Sequence, residues 1–537
     1  MSVPRWQPSD LVTRREQILL KRLGRVRKLF GFLRQYRLRI FDDSFQDELA
    51  AMYRDTGAGS DPVVPALMAV AALLQGYVGA SDAEVVELTI VDLRWQMVLG
   101  CLGCEAPAFS QGAFQDFRER LIRHGMDRRI LERTVEVARE TGAFDWRKLP
   151  KTLRVAIDSR PLEGAGRVED TVNLLAHAAH NIVVCVAELL RWSEVRVAEA
   201  AGIPLLLASS VKKALDIEWS DPEAKAEAVE RLAVQLDRLG AWIRQKLPEE
   251  MKKPPLREHL ETLAQIRTQD LEPDPTAGGK RRRVREGVAE DRRVSIEDPE
   301  MRHGRKSKSH RFNGYKQHVA TDLDTTLIVG CVVTPANRPE EEAAAPLKAE
   351  VDRLERKVAE WHLDRGYVAS PVTAEVIADG AEVVCKPWVP RNGKLFAKTD
   401  FKVNLRALTI TCPAGEVQPI SPGSTVEFDP ETCAHCELRP QCTMSSRGRQ
   451  VRIAEDEALQ QRLRKLISTS RGRERLRHRV AIEHSLGRIS RRQGRRARYL
   501  GVRKNEYDLR RASAIQNLEI THRRLVQQAE AATRKAA

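Results

Sequence analysis

The sequence predicts an α/β protein: a mixed sheet with flanking helices, preceded by an all-helical module and carrying two insertions, one helical and one small and cysteine-rich. Three observations support this. Leu153, Val155 and Ile157 alternate with Arg154, Ala156 and Asp158, the period-two pattern of a strand. Residues 315–321 and 327–333 repeat that pattern on either side of a turn through Asp322 and Asp324, which reads as a hairpin. Long stretches before, between and after these strands carry apolar residues at helical spacing.

A chain of 537 residues, 42% of them hydrophobic, is too long for one core and apolar enough for several, so three or four modules are expected. Its 90 Lys and Arg against 75 Asp and Glu leave a charge of +15, a field that draws polyanions such as nucleic acids. The first ten residues lack a basic-then-apolar signal pattern. The most apolar stretch, residues 63–80, is interrupted by Gln75 and Gly76 and is short for a membrane span. A cytoplasmic protein with no membrane partner is expected.

In chain order, residues 1–150 form the helical N-terminal module. Asp61 and Pro62 open one helix, and Ser81 with Asp82 opens another. Residues 151–172 hold the first strand and a glycine-rich turn. Residues 173–311 are a helical insertion and a linker: Val229, Leu232, Leu236, Leu239, Ile243 and Leu247 form one stripe, entered through Asp221 and Pro222. Residues 270–311, poor in apolar residues and dense in charge, read as flexible and basic. Residues 312–390 supply the hairpin, a helix over about 339–357, a strand at 359–363, a helix at 372–378 and a strand at 381–385. Residues 391–456 are the cysteine-rich insertion. Residues 457–537 are helical, beginning with a long basic helix over about 457–490.

Three strands in a meander followed by alternating helices and strands and a final helix is the element order of a ribonuclease H-like fold. That fold brings together an acid on the first strand, one just after the fourth strand and one on a late helix. Asp158, Asp364 and Glu483 stand at those places. Glu483 lies on the helical stripe Leu476, Val480, Glu483 and Gly487, where a core-facing acid needs a cation for a partner. Three carboxylates can hold two Mg²⁺ or Mn²⁺ ions, which activate an attacking hydroxyl and stabilise the leaving oxygen in phosphodiester chemistry. Asp322 and Asp324 sit in a tight turn, where Asp serves local hydrogen bonding.

Four of the nine cysteines, Cys412, Cys433, Cys436 and Cys442, bunch in a segment rich in Pro and Gly, at spacings that suit a tetrahedral structural Zn²⁺. His435 is an alternative ligand, and reduced, half-buried thiols are the other reading. Cys101 and Cys104 form a lone pair at CxxC spacing in an apolar helical region, where packing is expected. Residues 488–511 are crowded with arginine and interleaved with Gln493, Tyr499 and Asn505, a pattern able to hold phosphates and touch bases or sugars.

Residues 156–159, 162–171, 298–309, 312–316, 334–337, 364–367, 483–484, 493–499 and 504–505, in that order, resemble the DDE transposases of bacterial insertion sequences, in particular the eleven-eighty-two group. The resemblance implies binding of terminal inverted repeats in double-stranded DNA, 3′-end cleavage by water, and attack of the freed 3′-hydroxyl on target DNA. It also implies a homodimer on paired ends, near the nucleoid. It carries the metal-binding triad onto Asp158, Asp364 and Glu483. Arg479 matches an arginine four residues before the final Glu, while Leu476 and Ser490 stand where the pattern has Tyr and Lys. The residues expected at DNA are Arg302, His303, Arg305, Lys306, Lys308, Tyr315, Lys316, Arg479, Arg491, Gln493, Arg495, Arg496, Arg498, Tyr499, Lys504 and Asn505.

Two other functions fit the same residues: a ribonuclease H-like nuclease that cuts without joining, and a non-catalytic DNA-binding regulator derived from a transposase. An RNA-binding or ribosome-associated protein accounts for the charge and leaves the three acids unexplained.

Overall fold

The computed structural model describes residues 3–23, 28–54, 61–279, 281–307 and 309–536. Its centre is a curled mixed sheet of six strands: β1 (Leu153–Glu163), β2 (Arg302–Arg305), β3 (Arg311–Asp322), β4 (Ile328–Pro335), β5 (Val358–His362) and β6 (Glu382–Val384). β1 lies between β3, antiparallel with Asp158 opposite Val319, and β5, parallel with Ala156 opposite His362. β6 continues the parallel side, and β4 and β2 share the far edge of β3. This arrangement is consistent with a ribonuclease H-like domain.

The alternation along β1 feeds two cores. Leu153, Val155 and Ile157 pack with Leu347, Trp361 and Val383 on one face. Ala156 and Leu162 pack on the other with Val319 and Cys331, beneath Ile482, Leu486 and Ile489 of the helix Val480–Gln493. Asp158 falls in register with Ala156 and so emerges on the face that this late helix covers.

The C-terminal helix Val502–Ala536 ties the N-terminal module to the sheet. Asn517 exchanges two hydrogen bonds with the backbone of Ile328 (2.8 and 2.9 Å) and donates to Thr134 Oγ1 at 3.0 Å. Arg510 bridges Asp127 on the helix Met126–Glu140 and Glu350 beside the sheet. Within the module, Ser81 caps the helix Asp82–Val91 through a reciprocal pair with Glu84. The preceding helix starts at Pro65, past Asp61 and Pro62, with no side-chain cap.

The insertion has its own core, in which the stripe from Val229 to Leu247 is buried against the helices Thr171–Leu190 and Leu256–Asp270. Thr171–Leu190 is long and apolar enough to cross a membrane, and 56% of its most apolar window is buried inside the protein. Residues 270–311 differ from the flexible linker that their charge predicts. Leu271–Pro273 and Arg282–Val284 pair as a hairpin, and Arg302–Arg305 joins the main sheet as β2. The reason is charge pairing: Arg281, Arg282 and Arg283 bind Glu223, Glu230 and Glu272. Two further helices differ from expectation. The helix after the hairpin is a 3-10 turn, Glu340–Ala343, running into Ala344–Asp352. The long basic helix is three, Glu457–Ser468, Ser470–Arg477 and Val480–Gln493, the first break made where Thr469 caps Gly472 at 3.0 Å.

Candidate active site

Asp158, Asp364 and Glu483 line one open cavity of about 1120 Å³ at the end of β1. Asp364 follows β5 and caps the short helix Arg365–Val368 by position, yet its side chain makes no capping bond and is left for the cavity. Glu483 stands in the first turn of Val480–Gln493 and makes no side-chain hydrogen bond or ion pair among the described residues. Glu483 and Gly487 line this open cavity and Val480 is exposed, where the stripe was expected to face the core, while Ile482, Leu486 and Ile489 are buried. A Cβ on Gly487 would meet nothing within 4 Å.

Arg479 connects the first two acids. Its guanidinium lies 3.0 Å from Asp158 Oδ2 and 3.2 Å from Asp364 Oδ1. Burial pushes the Asp158 carboxyl above its ordinary range, Arg479 opposes this, and Asp364 and Glu340 add to the push. The guanidinium is therefore a cation that the chain itself supplies between two carboxylates. Hard oxygen donors on either side of a positive charge suit a divalent ion such as Mg²⁺, with Glu483 facing the same space. Among the described residues, no three His, Cys, Asp or Glu side chains are drawn together as a finished metal site.

A fourth acid, Glu340, was not legible in the sequence, since it opens the run Glu340, Glu341 and Glu342 that reads as a helix start. It accepts a hydrogen bond from Ser159 Oγ in the same cavity. Gly366 gives it room, as a Cβ there would collide with the Glu340 carboxylate. Beneath it a buried chain of polar groups supports the strand beside Asp158. Tyr367 bonds Ser159 and meets His318 Nδ1 at 2.7 Å, and His318 Nε2 lies 3.0 Å from Thr334 Oγ1.

The residues expected at DNA divide into two sets. Arg305, Lys306, Lys316, Arg479 and Arg495 line the cavity. Arg491 is exposed nearby, and Arg496 is exposed with a bond to Ala165 O at 2.8 Å. The second set has partners within the protein. Tyr315 is fully buried, donates to Asp298 and accepts from Gly501 N at 3.1 Å, so it is corrected from a DNA contact to a strut. Asn505, 1% exposed, is corrected likewise: it donates to Tyr499 O and Gly501 O. Arg302 pairs with Asp291, His303 with Asn313 and Gln493 with Asp508. Arg498 bonds Ala80 O, Tyr499 stacks under Arg118, and Lys504 lies 3.9 Å from Glu119. Lys308 lies outside the described residues. Arg160, Lys386 and His310 line the cavity and were missed. Arg160 had a readable signal, two residues beyond Asp158 and thus on its strand face.

Cys412, Cys433, Cys436 and Cys442 line a second cavity of about 490 Å³ in the cysteine-rich module, which has a small core of its own around Ile410, Val426 and Ile453. All four are free thiols. Burial raises the Cys442 thiol, and its three neighbours raise it further against the pull of Arg449. Thiolates are the donors that Zn²⁺ prefers, and among the described residues these four are not drawn together into a finished metal site.

Residues 411–522 match the family model described as Transposase DDE domain. No curated protein and no solved structure matches the chain. The matched stretch takes in the four clustered cysteines, Glu483 and the C-terminal basic segment, and stops short of Asp158 and Asp364. It supports a transposase-like function in a family of nucleic-acid-cutting enzymes that act on DNA and generally use divalent metals such as Mg²⁺.

Proposed function

We propose that the chain is the transposase of a bacterial insertion sequence, which binds the element's terminal inverted repeats, cleaves the 3′ ends and joins them to target DNA. The observation that carries this reading is that Asp158, Asp364 and Glu483, far apart in sequence, open onto one cavity rimmed by arginine and lysine, within a chain that matches a transposase DDE domain. The three acids would hold two Mg²⁺ or Mn²⁺ ions. Bound there, the ions supply the positive charge that favours a deprotonated attacking hydroxyl and stabilises the leaving oxygen.

The chain's own residues do the rest. Arg305, Lys306 and Arg495 draw the phosphate backbone to the cavity mouth, a contact that falls with salt as counterions are released. Arg479, paired with Asp158 and Asp364, would turn its guanidinium to a phosphate when DNA binds. The Thr334–His318–Tyr367–Ser159 chain holds the middle of β1 so that Asp158 keeps its aim. The four cysteines would hold a structural Zn²⁺ that adds to the small core of their module. The protein works as a homodimer on paired DNA ends in the bacterial cytoplasm.

The test is a labelled duplex carrying the repeat that flanks the gene, incubated with the protein, Mg²⁺ or Mn²⁺ and a target plasmid. Cleavage at the repeat boundary with joining of the 3′ end to plasmid supports the reading. Cleavage without joining favours the nuclease, and binding without cleavage favours the regulator.

A further inference from the structure

We propose that Arg160 forms a subsite for a single DNA backbone phosphate, one nucleotide step along the strand from the phosphate that Asp158 serves. This rests on the DNA-cutting reading above and names one of its contacts.

Arg160 is 7% exposed, yet none of its bonds goes to an acid. Nε donates to Gln317 Oε1 at 2.7 Å, and Nη2 to Gly494 O at 3.1 Å and Gln493 Oε1 at 3.5 Å. Among the described residues no carboxylate comes within ion-pair distance. Asp508, the acid behind Gln493, is already taken: it accepts from Gln493 Nε2 at 2.7 Å and pairs with Arg511. Most buried arginines here are matched to acids, Arg34 to Glu16, Arg133 to Glu140 and Arg510 to Asp127. Arg37 and Arg293 lack an acid, but both terminal nitrogens of each have partners, backbone carbonyls for Arg37 and Thr262 Oγ1 and Ile296 O for Arg293, and neither lines this cavity. Arg160 keeps Nη1 without a partner and does line it.

A buried, unpaired guanidinium is costly unless an anion completes it. The geometry selects the anion. Arg160 is two residues beyond Asp158 on β1, about 7 Å along the strand. It also meets Gly494, at the end of Val480–Gln493 remote from Arg479, about 20 Å away along a helix of 14 residues. Arg479 and Arg160 thus stand at opposite ends of the helix that carries Glu483. A DNA strand crossing the acids meets one guanidinium on each side, and Nη1 of Arg160 offers its free donors to a phosphate oxygen.

The experiment compares wild type with Arg160→Met and Arg160→Lys, with no Mg²⁺ or Mn²⁺ added so that nothing is cut. Each binds a duplex of the flanking repeat in which successive phosphates are replaced by neutral methylphosphonates. Wild type should lose several-fold in affinity at one phosphate next to the cleavage point. Arg160→Met should bind the unmodified duplex several-fold more weakly, with a salt slope smaller by about one unit, and should no longer respond to the replacement at that phosphate. It should melt within a few degrees of wild type, because no acid is orphaned. Equal methylphosphonate profiles in wild type and Arg160→Met overturn the subsite. So does unfolding of both variants, which would make the guanidinium a strut for Gln317 and Gly494. Failure of wild type itself to bind the duplex overturns the DNA-cutting reading, a result distinct from either.

Discussion

The guanidinium of Arg479 stands 3.0 Å from the Asp158 carboxylate, and its other terminal nitrogen reaches Asp364 at 3.2 Å. A side chain placed so must compete with any divalent ion for the same oxygens. Arg479→Met is therefore expected to tighten Mn²⁺ binding by about fivefold, equivalent to about 1 kcal/mol, while weakening DNA binding. Calorimetric titration of Mn²⁺ without DNA checks the first effect, and weaker Mn²⁺ binding in the variant would contradict it.

Glu340 acts on Asp158 as a like charge. Glu340→Gln removes that repulsion while keeping an acceptor for Ser159, so the acid limb of the cleavage pH profile should move to lower pH. Glu340→Ala also removes the acceptor, and its cleavage rate should fall further than that of Glu340→Gln. An acid limb that stays in place shows that Glu340 does not influence the acid that matters.

His318 is completely buried, and burial, with Lys316 beside it, pulls its pKa from the ordinary 6.5 down to about 3. Between those values the unfolded chain takes up a proton that the folded chain refuses. Stability is therefore lost as the pH falls below 6.5, by up to about 1.4 kcal/mol per pH unit. Melting curves from pH 7 to pH 4 should be steeper for wild type than for His318→Gln. Parallel curves would show that His318 gains its proton without cost.

Much of this architecture was legible because strands announce themselves by what they bury. Leu153, Val155 and Ile157 feed one core and Ala156 the other, so the alternation fixes both the strand and the face of Asp158. The acids could be picked out by the order of elements around them. Residues 270–311 were illegible for the opposite reason: Arg282 and Arg302 are held by Glu230 and Asp291, and charge read one residue at a time looks like solvent-exposed linker. Tyr315 and Asn505 misled because a polar group suited to DNA is equally suited to a buried bond, and only the packing decides. Glu340 comes to Asp158 through a turn and the side-chain-free space at Gly366, neither of which leaves a pattern.

The cysteine-rich module has few apolar residues to bury, so its stability should depend on metal. Native mass spectrometry is expected to find one zinc per chain. Chelation, or Cys436→Ser, should lower the melting temperature of that module and leave the helical insertion folded. Retention of the full melting profile after chelation would identify the four residues as simple thiols.

The most direct test of the central claim replaces Asp158, Asp364 and Glu483 singly with alanine and follows cleavage of the repeat duplex in Mn²⁺, after confirming that each variant folds and binds the duplex. The account predicts that wild type cuts and that all three variants bind without cutting. A variant that cuts at the wild-type rate would remove its residue from the site and contradict the account.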